Sequence, residues 1–135
     1  MSQKVLQPDG WPRPSGYANG IAASGTMVFV SGMIGWDQRQ QLVSDDFVLQ
    51  ARQALQNIVD VLASGGAEPA HVVRLTWYVT DKAEYLAQRK ALGAVYREIF
   101  GRHFPAMTAV QVAALMEDGA KVEIEATAVI PSRNV

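Results

Sequence analysis

Glu123 and Glu125 stand two residues apart in KVEIEATAV, so on an extended backbone both carboxylates leave the same face. A carboxylate aimed into a cleft can take a proton from a water and return it to a leaving nitrogen, which is general acid–base chemistry. The same spacing suits two solvated carboxylates on an open strand, and the pair alone does not choose between these readings. Other chemistries have fewer parts. The chain has no cysteine, so disulfides, thiolate metal sites and cysteine nucleophiles are excluded. Its histidines are His71 and His103, and neither has a second ligand at H-x-x-x-H or H-E-x-x-H spacing. No metal centre and no cofactor is therefore expected. His103, in GRHFP, reads as a turn residue rather than a base.

These groups need strands and helices to hold them. Met27-Val28-Phe29-Val30 is β-branched and aromatic and predicts a strand. It ends in Ser31-Gly32, where glycine suggests a bulge or a close backbone approach. Residues 35–41 read as a hairpin loop, with Leu42-Val43 a short return strand. Val48, Leu55, Ile58, Val59 and Leu62 recur at helical spacing and predict a helix over residues 45–64. Ser44 can cap it, Asp45 and Asp46 suit its positive end, and Gly65-Gly66 stops it. Residues 72–80 form a strand, with Val73, Leu75, Trp77 and Val79 on one face. Asp81 and Glu84 open a second helix whose stripe runs from Tyr85 and Leu86 through Leu92, Val95 and Tyr96 to Ile99 and Phe100. Gly101 ends it. Residues 107–115 and 121–130 are the last two strands, joined at Glu117-Asp118-Gly119. Residues 1–16, rich in proline and glycine, should be extended or loop-like. Trp11 in that segment reads as a lid over a core edge or a subunit contact.

The order of elements predicts one α+β domain over residues 1–135, with two helices on one face of a mixed sheet. The other face would carry Glu, Gln, Thr and Met, a mixture suited to packing on another subunit. A formal net charge of −1 gives no general attraction to nucleic acid. No apolar run reaches the roughly 18–20 residues of a membrane span, and the first residues lack a secretory apolar core. A cytoplasmic location is the expectation.

With these segments in place, the chain resembles the RidA/YjgF family, also labelled endoribonuclease L-PSP. The resemblance rests on VSG after the early strand, QARQALQNIV in the first helix, VVRLTWYVTD, FPAMTAVQV and KVEIEATAVIP, and it runs from about Tyr17 to Pro131. It implies a chorismate-mutase-like fold in which three subunits pack sheet to sheet, with a small-molecule cleft at each interface. It also implies hydrolysis of reactive 2-imino and enamino acids to 2-keto acids and ammonia. Such chemistry asks only that the substrate be held and one water aimed. By that resemblance the catalytic residue is Glu123, which helps to orient the water. The substrate-binding positions are Tyr17, Ser31, Gly32, Gly93, Met107 and Ala109.

Three of those positions depart from the family. FPAMT stands where the family has FPAR[ST], so Met107 replaces the arginine that grips the substrate carboxylate. Ala109 replaces a common cysteine, and Gly93 falls where an asparagine is usual. Losing a charge-assisted grip costs about 1.5–3 kcal/mol, so activity on simple 2-imino acids should be poor. Arg74, Arg89 and Arg97 read as surface charges, while Arg13 could reach a neighbouring cleft. The resemblance therefore leaves open a deaminase of an imine or enamine without a free 2-carboxylate, and a non-catalytic small-molecule-binding trimer. A ribonuclease ranks last, because the chain has no basic aromatic patch and no histidine pair for acid–base work.

Overall fold

A computed structural model describes residues 3–132. Strands β1 (Gln3–Leu6) and β2 (Gly20–Ala23) form an antiparallel pair of their own. The main sheet contains β3 (Gly25–Ile34), β4 (Val72–Val79), β5 (Ala106–Gln111) and β6 (Val122–Pro131), in the order β3-β6-β4-β5. All neighbours are antiparallel except β4 and β5, which are parallel. Helices α1 (Phe47–Ser64), α2 (Lys82–Ala87) and α3 (Arg89–Phe100) complete the α+β architecture, with α1 and α3 packed on the main sheet and on each other.

The last two strands are not neighbours, because β4 lies between them. A parallel partner must be reached by a crossover, and α2 and α3 supply it between β4 and β5. This places β5 at the sheet edge, pinned at its start where Ala18 N–H donates to Pro105 O at 3.0 Å. Tyr17 is thereby carried to the same edge.

The core lies between the helices and one sheet face. Leu55, Ile58 and Leu62 of α1 meet Val72, Leu75, Val122 and Ile124, all fully buried. Each such side chain contributes about 1.5–3 kcal/mol by leaving water. Gln50 is a fully buried polar side chain of this layer. Its amide donates to the carbonyls of Ser44 and Gly119 and accepts from Lys121 N–H, so both of its ends are satisfied.

Several local expectations are corrected. Asp46, not Ser44, caps α1: its carboxylate accepts from Leu49 N–H at 2.9 Å, while Ser44 Oγ accepts from Asp46 N–H. Val72 rather than Val73 enters the core, because a register shift between Val72 and Arg74 reverses the alternation there. Leu42 makes only an isolated bridge to Trp36, and no return strand forms at Leu42-Val43. The first of the last two strands stops at Gln111, where the Gln111 side chain accepts from Lys82 N–H and ties the strand end to α2. The second helix breaks at Gln88, which ends α2 and starts α3. Within the segment expected to be extended or loop-like, Gln3–Leu6 is extended and pairs with β2. Trp11 is largely exposed.

Tyr96 anchors α3 to the loop before β5. Its hydroxyl donates to His103 O at 2.5 Å, its ring stacks on Phe104, and burial raises its pKa above the ordinary 10.0. A folded-state pKa above the unfolded value favours the neutral phenol in the fold. That contribution is complete below the unfolded value and is lost as the pH rises through the folded one. The unfolding midpoint should therefore hold through neutral pH and fall in alkali above about pH 10. Tyr96→Phe should shrink that fall in thermal melts followed against pH, and an identical alkaline fall in the variant would contradict this.

Candidate functional site

The Ser31-Gly32 position is a bulge: the register between β3 and β6 shifts between Val30 and Met33. The bulge brings Gly32 against the start of β6, where Glu123 pairs with Ile34 on one side and Tyr78 on the other. A Cβ placed on Gly32 would lie 2.0 Å from Glu123 Oε2 and 2.7 Å from its Cδ. The carboxylate therefore rests directly on the glycine backbone, in space that only a missing side chain leaves open.

The structure separates the two glutamates. Glu125 is engaged: Tyr78 O–H donates to its Oε1 at 2.5 Å. That hydrogen bond is the first cause of a raised Tyr78 pKa, followed by burial and the charges of Glu125 and Glu123, with Arg74 opposing. Glu123 makes no side-chain hydrogen bond or ion pair among the described residues, although it is only partly exposed. Of the pair, Glu123 is the carboxylate left free to handle a proton.

A second group gathers on the other face of the sheet. Met107 aligns with Leu75, packs against the core, and lines a cleft of about 810 Å³ together with Tyr17 and Gly93. Trp77, Tyr85, Leu92, Tyr96 and Phe104 make its apolar wall. The Trp77 indole N–H is buried and has no acceptor among the described residues. Ala109 lies two residues beyond Met107, opposite Trp77, and does not line the cleft.

The expected site residues thus fall into two sets. Tyr17, Gly93 and Met107 line the cleft, while Ser31, Gly32 and Glu123 belong to the outward side of the sheet. Ser31 lines a second, smaller groove of about 450 Å³ with Phe29, Arg74, Thr76 and Glu125. Arg89, Lys90 and Arg97 also line the first cleft. Arg89 and Arg97 read as surface charges from the sequence, and both are solvent-exposed, yet their helix turns them toward Met107. Their spacing of four from Gly93 on either side was the signal available, since i and i+4 share a helix face. His103 serves the fold: its Nε2 lies 2.6 Å from Val72 O.

Comparison with known proteins gives a consistent result. Residues 12–130 match the family described as endoribonuclease L-PSP. The chain is 37% identical over 136 residues to Protein DfrA of Myxococcus xanthus, covering 96% of this chain and 97% of that protein. It is 36% identical over 103 residues to a human 2-iminobutanoate/2-iminopropanoate deaminase, covering 76% of this chain and 72% of the relative. A crystal structure of a Rid-family protein of unknown function from Yersinia pestis superposes with a TM-score of 0.85 at 32% identity, covering 96% of this chain and 100% of that one.

Proposed function

Because the chain belongs to the endoribonuclease L-PSP family, the RidA/YjgF group, we propose that it is an imine or enamine deaminase working as a homotrimer with ligand clefts between subunits. The observation that carries this reading is the Glu123 carboxylate, unpaired and seated on Gly32. In the proposed reaction a water oxygen bonds to the carbon of a protonated imine, and the water's proton passes to Glu123. The carbinolamine then collapses: Glu123 returns its proton to the nitrogen, the carbon–nitrogen bond breaks and ammonia leaves, and the hydroxyl gives its proton to the freed carboxylate as the carbonyl forms.

The separation of the two sets of residues supports the assembly part of this reading. Tyr17 and Met107 are on one side of the sheet and Glu123 on the other, so a ligand touching both needs a second copy of the chain. The outward face supports such packing, because Met27 and Phe29 are 56% and 70% exposed there. The loss of the family arginine at Met107 favours a second reading, a trimer that binds a small molecule without turning it over.

Ammonia and carbonyl release from imines generated in situ by an amino-acid oxidase separates the two. The deaminase reading expects release above the spontaneous rate for at least one imine. Thermal stabilisation by such ligands with no acceleration of any imine would establish the binder instead.

A further inference from the structure

Arg89, Gly93 and Arg97 follow one another at intervals of four along α3 and so form one stripe facing the cleft. Helical side chains lean toward the helix N-terminus, which carries Arg97 back along α3 over Gly93. A Cβ at Gly93 would come 3.3 Å from Arg97 Nη1. Gly93 has no left-handed backbone to explain its choice, and glycine is a poor helix former. What the glycine provides is room for a guanidinium to lie against the helix at the cleft. Arg97 has no ion pair among the described residues, where Arg52 and Glu98 form the one pair found. Tyr17 lines the same cleft, with the apolar wall of Met107, Leu92 and Phe104.

We propose that Arg97 is the anion anchor of this cleft, and that the ligand is a small carboxylate whose apolar body lies on Met107. The carboxylate accepts from the guanidinium, and Arg89 and Lys90 add positive potential at the same mouth. In the setting of the deaminase reading, on which this rests, the substrate keeps its carboxylate but binds it from α3 rather than from β5. Gly93 and Met107 then act together: one opens space for the cation and the other leaves the strand side apolar.

The test uses the stable keto acid 2-oxobutanoate and its uncharged amide as probes, with binding followed by calorimetry. The native protein should bind the keto acid, and Arg97→Gln should weaken it by about 10- to 100-fold. Arg97→Lys should recover part of the loss, and binding of the amide should be the same in all three. Equal affinity of native and Arg97→Gln protein for 2-oxobutanoate would overturn the proposal, as would no saturable binding by the native protein. The two readings fail separately. Arg97-dependent binding without turnover of any imine keeps the anchor and removes the deaminase. Turnover indifferent to Arg97 keeps the deaminase and removes the anchor.

Discussion

Glu123→Gln is expected to lower imine hydrolysis by about 100-fold or more, since a positioned acid–base group contributes roughly 10²–10⁴-fold. The substitution keeps the shape of the side chain but replaces an ionisable carboxylate with a neutral amide that cannot take a proton from water. Glu123 makes no side-chain hydrogen bond or ion pair among the described residues, so none is lost. Its charge also bears on Tyr78, whose pKa it helps to raise, and that influence goes with it. Stability should therefore change by less than about 0.5 kcal/mol, and the proposed trimer should survive. Steady-state turnover beside a thermal melt checks both halves. Undiminished turnover would remove Glu123 from the chemistry, and a collapsed melt would make its role structural.

Gly32→Ala should produce nearly as large a loss by a different route. The added Cβ would stand 2.0 Å from Glu123 Oε2, well inside contact, so something must move. The obstructing atoms are the Glu123 carboxylate and its Cγ, 2.9 Å away, all of one flexible side chain, so that side chain will swing away before the backbone yields. Gly32 is not among the glycines with positive φ, so alanine meets no backbone strain of that kind. The expected result is a stable fold with a misplaced carboxylate. A displacement of about 1 Å at a reacting group can cost on the order of 100-fold in rate. Turnover close to native in Gly32→Ala would mean that the seat on Gly32 does not set the working position of Glu123.

Much of this arrangement is written locally in the sequence. Periodicity places Leu55, Ile58 and Leu62 on the buried face of α1, and alternation puts Glu123 and Glu125 together on β6. The glycine after Ser31 marks the bulge that shapes the site. Where expectation fails, the determinant is distant in sequence. The edge position of β5 depends on a parallel pairing with β4 across two helices, and nothing within MTAVQ announces that partner. Gln3–Leu6, within a segment read as extended or loop-like, finds its partner in Gly20–Ala23, which the local sequence does not name. The alternation in β4 slips by one at Val73 because its neighbours in β6 are out of step there. The difference between Glu123 and Glu125 is likewise tertiary, since it turns on the Tyr78 hydroxyl from another strand. Arg89 and Arg97 look like ordinary helix charges until the fold brings β5 and Tyr17 to the same cleft.

The proposed imine hydrolysis relies on the family's scaffold and Glu123, despite the methionine at position 107. Hydrolysis of 2-iminobutanoate, generated in situ, by the native protein and by Met107→Arg tests it most directly. Slow but measurable acceleration by the native protein is expected, with a gain of about 10-fold or more in kcat/KM on restoring the arginine, the size of one charge-assisted hydrogen bond. Rates equal to spontaneous hydrolysis with both proteins would contradict it.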